Sequence, residues 1–153
     1  MTTTTTPERD AIETAIYRLK MYIGKTREEL QQTAPWLRGR PNMLDCAAGY
    51  SWATKGKDII GCHTLVDLMK QNKTWQPYKA GIIPVRGQAV IFDWNGEHTD
   101  TAHVGIITQA NKDHVTYISA DSGEHQIVNV NTVGYPLVTG WGWLNLKPIP
   151  KAN

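Results

Sequence analysis

Two residue types in this chain can together do nucleophilic chemistry: two cysteines, Cys46 and Cys62, and five histidines, at 63, 98, 103, 114 and 125. A thiol becomes a strong nucleophile only as the thiolate. A histidine within hydrogen-bond reach, itself oriented by a third polar group, is the usual means of making one. The first turn of a helix helps too, because its unpaired N–H groups stabilise the thiolate and can later face an oxyanion. Both cysteines fall near expected helix starts, so position alone leaves the choice between them open. The bland alternative is two inert, buried thiols. Two cysteines do not suggest a disulfide scaffold, and no Cys/His spacing here matches a zinc site.

The elements that must position these groups can be read from periodicity and punctuation. Residues 1–5, a threonine run with nothing to bury, are expected to be disordered. Thr6 as N-cap and Pro7 at the first helical position open a helix whose Ile12, Ile16, Leu19 and Ile23 form one apolar face, with Gly24 ending it. Thr26 and Glu29 make a capping box for a short helix through Gln32, and residues 33–43 read as loop. A stretch of small residues from Leu44 to Lys55 is expected to be helical, closed by Gly56, which puts Cys46 in its first turn. A further helix over Cys62 to Gln71 shows Leu65, Val66 and Met69 on one side. After Gly87 the period changes to two, and strands are predicted over 88–94, 102–108, 114–120, 126–130 and 138–144. Helices first and an antiparallel sheet afterwards is an α+β order.

The bulk properties exclude several classes. A length of 153 residues favours one domain, taken here as 6–153, and no linker or repeat divides it. A net charge of +2 is too mild to argue for nucleic acid, and would not oppose an anionic cell wall. No run of about 18 apolar residues exists to insert in a membrane. The N-terminus MTTTTTPERD has neither a basic nor an apolar signal region, so synthesis in the cytoplasm without a signal peptide is expected, with action on any external target only after release.

DCAAGYSWA at 45–53, RGQAVIFDW at 86–94 and AHVGII at 102–107 resemble the three signature segments of the CHAP family of cysteine, histidine-dependent amidohydrolases/peptidases, and those of the related NlpC/P60 family. In such proteins a cysteine opens a helix that carries an aromatic about one and a half turns on, here Trp52. A P-x-x-G-D-like turn then leads into an apolar strand, here Pro84 to Trp94, and a histidine follows in an H-V-G-I strand, here His103 to Ile106. The resemblance covers roughly residues 36 to 146. It implies a papain-like fold, Cys46 as nucleophile and His103 as its base. Cys62 falls in the following helix, where the family has no catalytic residue. His98, in the loop 95–101, is expected to be solvent-exposed.

The third member departs from the pattern. CHAP proteins often carry E-G-N after a Y-x-I-like strand, where this chain has Ser119-Ala120-Asp121, and NlpC/P60 relatives usually have a histidine at the position of Ser119. Strand geometry offers a separate choice. If Asn111-Lys112-Asp113 is a three-residue hairpin loop, Ala110 pairs with His114, His103 lies opposite Asp121, and Ser119 lies opposite Gly105 on the same face. A carboxylate also stabilises an imidazolium better than a hydroxyl does. Asp121 is therefore expected to orient His103, unless a one-residue slip reverses the faces.

Among six tryptophans, Trp94 ends the strand before His103 and is expected to contact a glycan or stem peptide, although core packing is the commoner role of a tryptophan. The aspartate-rich calcium loops of some CHAP relatives have no counterpart, so no metal or other cofactor is expected. The resemblance implies a monomeric hydrolase of bacterial peptidoglycan, similar to phage lysins, cutting either the N-acetylmuramoyl-L-alanine bond or a peptide bond of the stem or cross-bridge. A secreted interbacterial effector of the same chemistry, an inactive wall-binding module, and a papain-like protease acting on proteins are the alternatives.

Overall fold

The first helix, α1 (Arg9–Lys20), buries Ala11, Ile12, Ala15, Ile16 and Leu19 along one face. The computed structural model describes residues 9–37, 46–54, 62–93, 103–122 and 126–143, with residues 121 and 122 described by their backbone alone. The expected apolar face of α1 holds as far as Leu19 and then fails. Tyr22 and Ile23 donate to carbonyls only three residues back, so the chain leaves the helix early and Ile23 stays 42% exposed. Gly24, at φ +91°, supplies the left-handed turn that follows. The capping box then forms as expected: the Thr26 hydroxyl accepts from Glu29 N–H and the Glu29 carboxylate accepts from Thr26 N–H, both at 3.1 Å. They open α2 (Arg27–Thr33). The residues after it were expected to be loop, and the described part is, yet Ala34, Trp36 and Leu37 are buried in the core.

Two helices carry the cysteines. The helix expected over 44–55 is α3 (Cys46–Thr54), and the one expected over 62–71 is α4 (Cys62–Gln71), which buries Leu65 and Met69. The strands are β1 (Gln76–Pro77), β2 (Ala89–Phe92), β3 (His103–Ala110), β4 (His114–Ser122), β5 (Ile127–Gly134) and β6 (Val138–Gly142). They form one sheet in the order β1-β6-β2-β3-β4-β5, with every neighbouring pair antiparallel. The fold is therefore α+β, N-terminal helices packed on a C-terminal antiparallel sheet. The two-residue β1 and the 3₁₀ turn Tyr135–Leu137 were not foreseen.

The sheet is covered on both faces. On the helical side, Ile16, Leu19, Ala47, Ala48 and Ala53 pack with Ile91, Val104, Ile106, Ile118 and Ala120. On the other, Val90, Phe92, Ile107, Tyr117, Val133 and Trp141 form a second cluster. That is why all four residues of β2 are buried, where a one-sided sheet would alternate. Helix α3 lies close on the sheet at Gly49, where an added Cβ would sit 2.6 Å from the Cβ of Ala120 on β4. Among the described residues no helix is long and apolar enough to cross a membrane.

The β3–β4 hairpin differs from the expected one in an instructive way. Ala110 pairs with Val115 instead of His114, which by itself would reverse the faces. A β-bulge between Ile107 and Gln109 then restores the register, so that Ile107 faces Tyr117 and Ile106 faces Ile118, as a three-residue loop would have set them. The bulged residue, Thr108, is held by its hydroxyl donating to Thr116 O at 3.2 Å and by Arg86 Nη1 donating to its carbonyl at 2.9 Å.

Candidate active site

Cys46 is the first residue of α3, and Cys62 the first of α4. The starts of the two helices meet: the two sulfurs lie 3.9 Å apart, neither cysteine is in a disulfide, and each residue is partly exposed. The Cys46 thiol is held well below the ordinary thiol range. The largest cause is the Cys62 thiol pointing at it. The His103 ring, as hydrogen-bond partner and as charge, and the Val104 backbone N–H act the same way, against the opposing effect of burial. Cys62 is pushed in the other direction by the same contact, by burial and by the charge on Cys46. The pair thus gives up its first proton from Cys46, and Cys62 remains the donor.

His103 opens β3 and is buried, with its ring edge-on to Phe92 at 5.2 Å and to Tyr117 at 6.2 Å between centroids. Its Nε2 lies 2.9 Å from the Oγ of Ser119, which is itself buried. The same ring is a hydrogen-bond partner of the Cys46 thiol. When the ring is an imidazolium, Nε2–H donates to Ser119 and the ring plane is fixed.

Ser119 meets Nε2 of His103, while the expected contact from the Asp121 carboxylate falls outside the described atoms. Continuing the register of β3 and β4 beyond Ile106 and Ile118 would set Ser119 beside Gly105 and Asp121 beside His103, as a three-residue hairpin loop would. The Tyr117 ring occupies the space that a Cβ at Gly105 would need. The signal existed in the sequence, because the motif comparison pointed to position 119 and the strand geometry overrode it. The backbone of Asp121 belongs to β4, and its carboxylate lies outside the described atoms. Trp94, His98 and His125 lie outside the described residues.

Trp52 is half-buried in an aromatic cluster, 5.7 Å from Tyr22 and 5.0 Å from Trp36, so it is a packing residue that braces α3. His63 is exposed on α4. His114 is the first residue of β4, its Nε2 3.4 Å from Asn111 Nδ2. Among the described residues no three His, Cys, Asp or Glu side chains converge to hold a metal ion. The neighbour of Cys46 that sequence reasoning set aside is Cys62. Compared with protein-family models and with curated proteins, the sequence matches none.

A thiolate at a helix start, an imidazole beside it and a hydroxyl behind the imidazole form a relay suited to attack on a carbonyl carbon. The thiolate supplies the electron pair, and the ring can hand a proton to a leaving amine.

Proposed function

We propose that this protein is a papain-like cysteine amidohydrolase that cuts an amide bond in bacterial peptidoglycan, in the manner of CHAP-type phage lysins. The observation that carries the reading is the line Cys46–His103–Ser119, with His103 Nε2 2.9 Å from Ser119 Oγ and the Cys46 thiol depressed beside the ring. The resemblance of the segments at 45–53, 86–94 and 102–107 to the CHAP signatures supports the substrate class. In the proposed reaction the Cys46 thiolate attacks the amide carbonyl, and N–H groups at the start of α3 face the developing oxyanion. His103 protonates the leaving amine, and the acyl group stays on sulfur as a thioester. His103 then takes a proton from water, which hydrolyses the thioester and frees Cys46.

The test is incubation with purified peptidoglycan and mass analysis of what is released, run beside Cys46→Ala. Fragments ending at a new amine, present with the native protein and missing with the variant, are expected, and their masses name the bond. Binding to the wall with no fragments released would overturn the enzyme reading in favour of a wall-binding module.

A further inference from the structure

We propose that Cys46 and Cys62 form a site of reversible covalent modification, in which a hydroperoxide oxidises Cys46 and Cys62 closes onto it as an intramolecular disulfide. The sulfurs are already in contact at 3.9 Å. A disulfide needs about 2.05 Å, so a shift of roughly 1 Å by each side chain closes the bond. Neither cysteine is in a disulfide, and each residue is partly exposed. Each cysteine is the first described residue of its helix.

The chemistry balances. The Cys46 thiolate attacks one oxygen of hydrogen peroxide, the O–O bond breaks, and hydroxide leaves, taking up a proton to become water. Cys46 is now a sulfenic acid. The Cys62 sulfur then attacks the Cys46 sulfur, the S–O bond breaks, and the hydroxyl departs as water with the Cys62 proton. Two thiols have lost two electrons and the peroxide has become two waters. The order of events follows from the environment. Cys46 is the thiolate and reacts first. Cys62 is kept protonated chiefly by its contact with Cys46, with burial and the charge on Cys46 adding to it. Sulfenic acid formation removes the charge and with it part of the barrier to Cys62 becoming a nucleophile. Small dithiols reverse the closure.

A closed pair has no nucleophile, so oxidation stops any hydrolysis that depends on Cys46. Only this last consequence rests on the proposed function; the disulfide is read independently. Thiol pools of the cytosol keep the pair open, and an environment without them lets it close.

The full chain is treated with near-stoichiometric hydrogen peroxide, digested without reductant and mapped by mass. The expected product has lost two hydrogens and links the peptides of Cys46 and Cys62 within one chain. Alkylation of Cys46 by iodoacetamide falls to background and returns with dithiothreitol. In Cys62→Ser, Cys46 instead gains oxygen and passes to the sulfinic acid, which dithiothreitol does not reverse. Sulfinic acid accumulating in the native protein as fast as in Cys62→Ser would overturn the proposal, and so would a disulfide joining two chains. Should Cys62→Ser not fold, the native map alone decides between an internal link and added oxygen. A disulfide without release of wall fragments would sink the hydrolase reading and leave this one standing.

Discussion

Cys46 differs from an ordinary thiol through three neighbours, of which the Cys62 and His103 side chains can be removed separately. Because its ionisation is depressed, the reactive thiolate exists at lower pH than usual. The rate of iodoacetamide alkylation should therefore reach half-maximum clearly below about pH 8.5, the ordinary thiol value. Cys62→Ala, which removes the largest cause, should move that midpoint upward, while Cys46→Ala abolishes both alkylation at this site and wall hydrolysis. An unmoved midpoint in Cys62→Ala would mean that the thiol contact carries no weight. Ser119 is a subtler case. Its hydroxyl fixes the His103 ring by one hydrogen bond, so Ser119→Ala should slow turnover by about tenfold, the equivalent of one such bond. In a His103→Ala background the same change should cost almost nothing further, because the two residues act as a unit. Two losses that multiply would separate Ser119 from the histidine.

At the scale of the elements, the site depends on how tightly α3 lies on the sheet. A methyl at Gly49 would collide with Ala120, and neither side has a flexible end to yield, so the helix itself must shift. Gly49→Ala is expected to destabilise the fold by about 1–3 kcal/mol and to weaken hydrolysis more than its stability loss explains, since Cys46 rides on the displaced helix. Thr26→Ala is the control. It removes a cap at α2, costs about 1 kcal/mol, and should leave alkylation of Cys46 unchanged. Denaturant midpoints and alkylation rates of the two variants check both statements. The contrast also shows what was legible in advance. The capping box is local, fully contained in Thr26 to Glu29, and it was read correctly. The bulge at Thr108 has no glycine to announce it and is held by Arg86 from elsewhere in the chain. Position 119 was visible from the motif, but its 2.9 Å contact with His103 Nε2 depends on side-chain placement across two strands, which the sequence does not carry. The Cys46–Cys62 contact was out of reach, because it depends on where two helix starts meet in space.

On the scale of the whole molecule, the two thiols are shifted in opposite directions only while the chain is folded, which ties stability to pH. Helix α3 packs in the cluster on the helical side of the sheet, so unfolding that exposes this cluster also parts the two thiols from the strands. Consider Cys46 first. Its folded ionisation is depressed, so between that value and about pH 8.5 the unfolded chain holds a proton that the folded one does not. Stability there rises with pH, and the gain is lost as pH falls through the folded value. Cys62 does the reverse. Above about pH 8.5 the unfolded chain releases the Cys62 proton and the folded chain keeps it, so stability falls as pH rises further. The pair alone therefore gives a maximum near the ordinary thiol value. Urea midpoints measured from mildly acidic to alkaline pH, native protein minus variant to cancel all other titrating groups, isolate the effect. Cys62→Ala should remove the alkaline fall. Cys46→Ala should remove the rise and soften the fall, because it takes away the main cause that keeps Cys62 protonated. Flat difference curves for both variants would show that the two thiols titrate independently and are not in contact in the folded protein.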